Sequence, residues 1–240
     1  MSKVELRGDQ RSDRREEFLL GAWQMLPLQI GVVPFGLILG ALAAEKGISP
    51  AETALMSALV FAGGSQFVAI GLWQHPVPLL AIIASTAMIN LRHLLMGAAI
   101  VPGFASFGER RSYLALFFLA DEIWAVALRR AAVGRLTPAY YLGLAVPFYL
   151  SWIFSTTLGN LAGSFIAEPR RYGFDFAFVV VFLVILLGLW RGRHSILPVA
   201  VSAAVALLAW KLLPGVLYIF AGGIAGTAAA MIAARSDDAR

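Results

Sequence analysis

The chain has 240 residues, of which 60% are hydrophobic and 14% are charged, and its mean hydropathy is +0.79. Soluble domains carry about 25% charged residues, so this composition excludes a single water-soluble globule. Charged side chains crowd into residues 1–17, and the rest of the chain is sparsely charged. The pattern predicts a protein embedded in a lipid bilayer.

Residue counts also exclude several kinds of site. The chain has no cysteine, so neither a disulfide framework nor a thiolate metal site can form. Its histidines, His75, His93 and His194, lie far apart in the sequence. The net charge of +5 is not arranged as a basic stripe with interleaved aromatic residues. We therefore predict no cofactor, no metal site and no nucleic-acid partner, and we do not expect an enzyme.

The chain divides into apolar runs at charged, proline-rich or glycine-rich breaks. A membrane helix needs about 20 apolar residues, and eight runs approach or exceed this length. They are 19–43, 52–73, 77–101, 113–133, 139–166, 174–190, 195–212 and 215–234. The runs predict an all-α, polytopic integral membrane bundle of about seven or eight transmembrane segments.

The distribution of basic residues predicts the orientation of the bundle. With the N-terminus inside, 12 Lys and Arg residues fall on the inner side and 6 on the outer side, while Arg92 lies within a span. The positive-inside bias therefore places both termini in the cytoplasm. The predicted organisation is a charged N-terminal tail (1–17), one transmembrane transport domain (18–234) and a C-terminal tail (235–240).

Polar residues interrupt the second run at Phe-Ala-Gly-Gly-Ser-Gln-Phe (61–67). Paired glycines beside Ser65 and Gln66 favour a broken helix that exposes amide groups of Gly63 and Gly64 to a cavity. The alternative is a close-packed helix crossing in which Ser65 bonds to its own backbone. The Phe-Ala-Gly-Gly element recurs at 220–223, which we interpret as helix packing rather than as an inverted repeat.

The third and fourth runs carry charges. A second break near 88–93 is predicted by Asn90, Arg92 and His93. Placing Arg92 near the centre of a span costs about 3 kcal/mol. The alternative is a shorter span in which Arg92 reaches the membrane interface. Asp121 and Glu122 supply the counter-charge: one could pair with Arg92 while the other carries a proton, or both could be static. The fifth run adds Asn160, an amide that needs a polar partner.

These segments, with the Pro-Phe-Gly stretch at 34–36, resemble the large subunit of the AzlC-type branched-chain amino acid permeases. The resemblance covers about the first half of the chain, in the same order. It implies a bacterial inner-membrane exporter of valine, leucine and isoleucine, with methionine as a further substrate. It also implies a small hydrophobic partner subunit of the AzlD type.

The polar residues suit an amino acid substrate. Amide groups at 63–65, or Arg92, could bind its carboxylate, and Asp121 or Glu122 with Asn90 could accept from its ammonium group. Alternating access coupled to proton influx would use Glu122 or Asp121, with His93 as a second proton site.

Two other classes of function remain open on the sequence. One is a passive channel, an assembly scaffold or a transporter of another small solute. The other is an intramembrane protease that would use Ser65 and His93, although Phe67 stands where the nucleophile-elbow pattern needs glycine.

Overall fold

A computed structural model of the chain describes residues 3–163, 192–212 and 217–238, together with residues 165, 183, 186, 187 and 190. Every regular element in this part of the chain is helical, which confirms the all-α membrane bundle. The helices are α1 (Lys3–Glu45), α2 (Pro50–Leu59), α3 (Gly63–Leu72), α4 (Leu79–Ile100), a short 3-10 helix (Val101–Phe104), α5 (Glu109–Phe117), α6 (Asp121–Val133), α7 (Pro138–Gly163), α8 (Arg193–Leu212) and α9 (Leu217–Asp238).

Helices α1 and α7 pack side by side with their backbones in contact. A Cβ added at Gly21 would overlap the carbonyl oxygen of Tyr140, and one added at Gly40 would overlap that of Thr156. Because both positions advance together along the two helices, α1 and α7 are parallel. Small residues at such crossings let membrane helices approach closely. We call the two ends of this pair the Tyr140 end and the Asn160 end.

Helices α2 and α3 form a hairpin that enters the bundle from the Asn160 end and returns to it. The side-chain amide of Asn160 donates to the carbonyl oxygen of Ile48 at 2.9 Å, which places the start of α2 at this end. The chain breaks at 60–62, and Gln66 on α3 then donates to the Ser57 hydroxyl on α2 at 3.0 Å. The two helices therefore run back beside each other, each of 10 residues and about 15 Å long.

Helices α5 and α6 form the second hairpin, which enters from the opposite end. Helix α4 first carries the chain across: its 22 residues span about 33 Å, and Phe104 beyond it packs against Tyr141 with ring centroids 5.3 Å apart. The hairpin breaks at 118–120 and then returns. Ser106 before it donates to the carbonyl oxygen of Leu136 after it at 2.9 Å, so both ends of this hairpin lie at the Tyr140 end.

The first six helices thus form two units of opposite direction. Each unit is one crossing helix followed by a hairpin that re-enters from the far end, α1 with α2–α3 and α4 with α5–α6. Inverted units of this kind are common in transporters. The recurring element at 220–223 is not part of this repeat. It lies inside the continuous helix α9, where a Cβ at Gly222 would be 2.8 Å from the Cβ of Ala206 on α8, which fits the expected packing role.

Four described helices are long and apolar enough to cross a membrane, and Leu217–Ala233 is a shorter apolar helix. The four are Asp13–Glu45, Leu79–Phe104, Pro138–Gly163 and Arg193–Leu212. The predicted runs 52–73 and 113–133 differ from expectation, because each returns to the end from which it entered. The predicted run 174–190 lies outside the described residues, apart from four isolated positions.

The helix breaks differ in part from those expected. The break expected near 61–67 is confirmed, with residues 60–62 separating α2 from α3. The break expected near 88–93 is absent, since α4 is continuous through it. The side chains of Asn90 and Arg92 find partners on other helices, Asn90 with Ser65 at 2.5 Å and Arg92 with Asp121 at 2.9 Å, so neither residue requires the helix to break. The break at 118–120 is not among the predictions.

The hairpins predict which single cysteines share a side of the membrane, and the chain has no cysteine of its own. Lys46→Cys and Gln74→Cys flank the α2–α3 hairpin and should react with an impermeant maleimide from one side. Arg110→Cys and Arg135→Cys flank the α5–α6 hairpin and should both react from the other side. All four native residues are exposed. The measurement compares labelling of intact cells with labelling of inverted vesicles.

If runs 52–73 and 113–133 crossed the membrane as single helices, the two members of each cysteine pair would react from opposite sides. That outcome would overturn the hairpin topology. Labelling after solubilisation in detergent serves as the control that each thiol is reactive.

Glycine contacts between α1 and α7 should be needed for stability. A Cβ at Gly159 would overlap the backbone carbonyl of Leu37. Unlike a side chain, this backbone group cannot rotate to relieve the overlap. Gly159→Ala should therefore cost more than the about 1–3 kcal/mol typical of overfilling a core and lower the thermal midpoint in detergent. Gly31→Ala is the matched control on α1, because a Cβ there meets open space. Equal thermal midpoints for Gly159→Ala and Gly31→Ala would contradict the close backbone contact between α1 and α7.

Candidate functional site

A cavity of about 560 Å³ lies between the two hairpin tips. Helices α1, α3, α4, α6 and α7 line it, together with the break residues Phe61, Ala62 and Ala120. Small-molecule sites typically occupy about 300–1,000 Å³. Backbone can be irregular at membrane depth only where protein buries it or where it lines a cavity. Both breaks meet this condition because they open onto the same space.

One side of the cavity is charged. Arg92 on α4 and Asp121 at the start of α6 form an ion pair, with Nη1 and Oδ2 2.9 Å apart. Their side chains are 30% and 44% exposed, so neither charge is sealed from the open space. His93 and Glu122, the next residues along the chain, also line the cavity. The ion pair therefore joins the third and fourth apolar runs of the sequence.

The N-terminus of α3 opens onto the cavity at Gly63 and Gly64. No side chain caps this helix, and the first-turn N–H groups of a helix have no acceptor within it. The Nη2 atom of Arg92 lies 3.4 Å from the position that a Cβ would take at Gly64. The helix dipole and the guanidinium together give this corner a positive potential, which suits a carboxylate.

The remaining lining is apolar and largely aromatic. Ring side chains come from the tip of the α2–α3 hairpin and from α7, and most of them are buried. Helix α1 adds aliphatic and aromatic side chains from the facing side. The main apolar lining residues are Leu28, Val32, Phe35, Phe61, Phe67, Phe148 and Trp152. The cavity therefore has a charged side and a hydrophobic side that face the same space.

A buried hydrogen-bonded chain lies behind the hydrophobic side. The indole Nε1 of Trp152 donates to Oε1 of Gln66 at 2.8 Å. The amide of Gln66 donates to the hydroxyl of Ser57 at 3.0 Å, and Ser57 bonds to the hydroxyl of Thr156 at 2.9 Å. Gln66 is 1% exposed, so it does not reach the open space. The chain of bonds ties α2, α3 and α7 together beside the cavity.

Four other predicted residues make hydrogen bonds to one another, to the backbone or to a neighbouring hydroxyl. The Ser65 hydroxyl donates to Oδ1 of Asn90 at 2.5 Å, and the Nδ1 atom of His93 lies 3.3 Å from the carbonyl oxygen of Asn90. Ser65 is therefore engaged with an amide rather than with a histidine base, which does not favour the protease alternative. Asn160 donates to the Thr53 hydroxyl at 2.9 Å near the start of α2.

The structure brings together most of the predicted site residues. Six of them line the cavity: Gly63, Gly64, Arg92, His93, Asp121 and Glu122. Four lie outside its lining: Ser65, Gln66, Asn90 and Asn160. Gln66 bonds to the lining residue Trp152 and Asn90 to the neighbouring Ser65, whereas Asn160 lies away from the cavity, near the start of α2.

Trp152 and Phe148 on α7 are lining residues that the sequence analysis missed. The sequence does carry a signal for Trp152, because an indole N–H within a membrane span needs an acceptor and Gln66 is an amide within another apolar run. No comparable signal marks Phe148, since phenylalanine is common in membrane spans. The lining positions of α1 follow from its packing against α7 and could not be read from its nearly uniform hydrophobicity.

The sequence profile of the family described as AzlC protein matches residues 27–166. An uncharacterized membrane protein of Archaeoglobus fulgidus is 34% identical, over 82% of this chain and 85% of the relative. The inner membrane protein YgaZ of Escherichia coli is 26% identical, over 90% and 91%.

The branched-chain amino acid transport protein AzlC of Bacillus subtilis is 24% identical, over 69% of this chain and 65% of that protein. No solved structure gives a significant match. The family profile covers more than half of the chain and spans both hairpins and the cavity between them. The chain belongs to the AzlC family of membrane proteins.

Proposed function

We propose that this chain is a secondary transporter subunit that exports branched-chain amino acids across the inner membrane, namely valine, leucine and isoleucine, with methionine as a further substrate. The observation that carries the proposal is the cavity between the hairpin tips, where an Arg92–Asp121 ion pair faces a wall of apolar side chains. The name of the Bacillus subtilis relative supports the choice of substrate.

The cavity is complementary to a zwitterion with an apolar side chain. The substrate carboxylate binds at the N-terminus of α3, beside the guanidinium of Arg92. Its ammonium group binds Asp121, with Glu122 close by on the same helix turn. The substrate thereby takes over both partners of the Arg92–Asp121 ion pair, so that neither charge is left uncompensated. Its hydrocarbon side chain faces the aromatic side.

Alternating access follows from the two opposed hairpins. The substrate sits between the tip of α2–α3, which enters from the Asn160 end, and the tip of α5–α6, which enters from the Tyr140 end. Transporters built from inverted units commonly bind substrate at the bilayer midplane between broken helices. Movement of either hairpin away from the substrate opens a path to its own end of the bundle. Transport is the alternation of these two openings.

Export is coupled to proton influx in this proposal. Glu122 is the first candidate proton carrier because it lines the cavity without being a partner in the Arg92 ion pair. Asp121 is the second candidate, since protonation would release Arg92 from it. His93, which also lines the cavity, is a further candidate.

We place the Tyr140 end, and both chain termini, in the cytoplasm. The re-entrant hairpin moves Arg110 and Arg111 to this end, where Arg130 and Arg135 also lie, whereas Lys46 lies at the Asn160 end. Basic residues accumulate on the cytoplasmic side of membrane proteins. A small hydrophobic AzlD-type subunit completes the proposed exporter, and large apolar side chains on the outside of the bundle, such as Leu80 and Leu95, suit contact with lipid or with such a subunit.

Arg92→Ala should abolish most of the transport. Cells that produce the chain with its small partner, preloaded with valine-containing dipeptides, should show saturable valine efflux. Loss of a hydrogen bond to a charged group costs about 1.5–3 kcal/mol, so efflux at low substrate should fall about tenfold or more in the variant. Arg110→Ala, an exposed arginine outside the cavity, is the matched control and should keep the wild-type rate.

Membrane abundance of each variant is measured alongside efflux. A wild-type rate in Arg92→Ala at equal abundance would overturn the proposed site. Efflux that does not saturate and cannot run against a gradient would instead identify a passive channel.

Glu122→Gln should uncouple transport from protons. In the wild type, valine efflux should become faster as the external pH falls, because proton influx drives export. In Glu122→Gln, the residual efflux should no longer depend on external pH. Glu109→Gln, which changes an exposed carboxylate at the start of α5, should behave as wild type. If Glu122→Gln and Asp121→Asn both keep the wild-type pH dependence, the carboxylate mechanism is rejected.

A further inference from the structure

Trp152 is held at both ends of its indole ring. At one end, Nε1 donates to Oε1 of the buried Gln66 at 2.8 Å. At the other end, the six-membered ring lies against the N-terminus of α3, where a Cβ added at Gly63 would be 3.1 Å from Cη2 and Cζ2. A Cβ at residue 63 would therefore require the indole to shift by a few tenths of an ångström. The indole is thus held by a hydrogen bond at one end and by close contact with the backbone of α3 at the other.

Gln66 is in turn held by its own partners. Its amide nitrogen donates to Ser57, and Ser57 bonds to Thr156 on the helix that carries Trp152. Oε1 and Nε2 of Gln66 thus have opposite roles, one accepting and one donating, which fixes the orientation of its amide group. The polar groups of this buried chain are satisfied by one another, an arrangement that rigidifies its surroundings.

Trp152 lies close to the charged side of the cavity, because it and Arg92 contact adjacent residues of α3. Helix α3 begins with Gly63 beside Trp152 and continues with Gly64 beside Arg92. A carboxylate held at this N-terminus has the guanidinium on one flank and the indole on the other. With the ammonium group directed to Asp121, the atoms beyond the α-carbon of an amino acid are directed away from the charges and towards the indole.

We propose that Trp152 is the specificity-determining wall of the cavity, which sets the largest side chain accepted, and that Gln66 is the positioning residue that holds it. This inference rests on the proposed amino acid transport. It assigns Gln66 a role behind the lining instead of direct contact with substrate. The rigid wall excludes side chains larger than those of the branched aliphatic amino acids, because a fixed indole cannot swing aside.

The test compares substrates rather than total activity. Efflux of valine, leucine and phenylalanine is measured in the complete complex, and Vmax/KM for phenylalanine is divided by that for valine. In Trp152→Phe the smaller ring opens space, so the ratio should rise about tenfold or more, in line with the discrimination of about 10–200-fold per methylene that apolar pockets provide. Trp124→Phe, a tryptophan on α6 outside the cavity lining, is the matched control.

The positioning role of Gln66 is tested through variants that remove or keep the acceptor of the Trp152 indole. Gln66→Leu keeps the wall residue but removes its acceptor, so the same ratio should rise and the KM for valine should increase while Vmax is nearly kept. Gln66→Glu, whose neutral acid form still offers one acceptor and one donor, should retain the wild-type ratio. In Gln66→Leu combined with Trp152→Phe, the ratio should equal that of Trp152→Phe alone, because no indole remains to be positioned.

The outcomes separate this inference from the function on which it rests. If Trp152→Phe transports valine with an unchanged phenylalanine-to-valine ratio, Trp152 does not set the size limit. The proposal that the chain transports amino acids would be unaffected by that result. Absence of efflux of every amino acid from a folded wild-type complex would overturn the proposed function itself. A Gln66→Leu protein that folds and keeps the wild-type ratio would remove Gln66 from its positioning role, since packing alone would then hold the indole.

Discussion

The structure depends on one constraint, that a polypeptide cannot expose unpaired backbone groups to lipid. Two breaks, at 60–62 and 118–120, lie inside the bundle, so both must be enclosed by protein. The close parallel packing of α1 with α7, which glycines such as Gly40 and Gly159 permit, provides part of that enclosure, and α3, α4 and α6 complete it. Because the breaks come from opposite ends, their shared enclosure is a cavity near the middle of the bundle.

The same constraint places charges where a zwitterion can use them. A helix that starts within the bundle presents its positive end there. Helix α3 begins with glycines, so its amide groups stay accessible beside Arg92. Helix α6 begins with Asp121 and Glu122, so its positive end is covered by carboxylates of the chain itself. The two tips are therefore chemically different although they are topologically equivalent, and the ion pair between Arg92 and Asp121 joins them.

The sequence predicted the membrane class and the first helix break better than it predicted the path of the chain. Charge depletion gave the membrane class, and paired glycines located the first break, because both are local features. Hydropathy could not distinguish a 22-residue span from two half-helices that turn back, since the lengths and the apolar content are the same. The break before Asp121 has no glycine or proline, but the acidic pair is typical of a helix start, a signal that was interpreted only as counter-charge. The hydrogen bond of Trp152 is to Gln66, 86 residues away in the sequence. Only the fold shows that these two residues are partners.

The most direct test of the account is whether substrate occupies the space between the two hairpin tips. Ala62→Cys and Ala120→Cys place one thiol at each tip, in the lining of the cavity and in a chain otherwise free of cysteine. Valine should slow alkylation of both thiols in a saturable manner, while Gln74→Cys, on the exposed loop between α3 and α4, should react at an unchanged rate. Equal alkylation of both tips with and without saturating valine would contradict a substrate site between the hairpins.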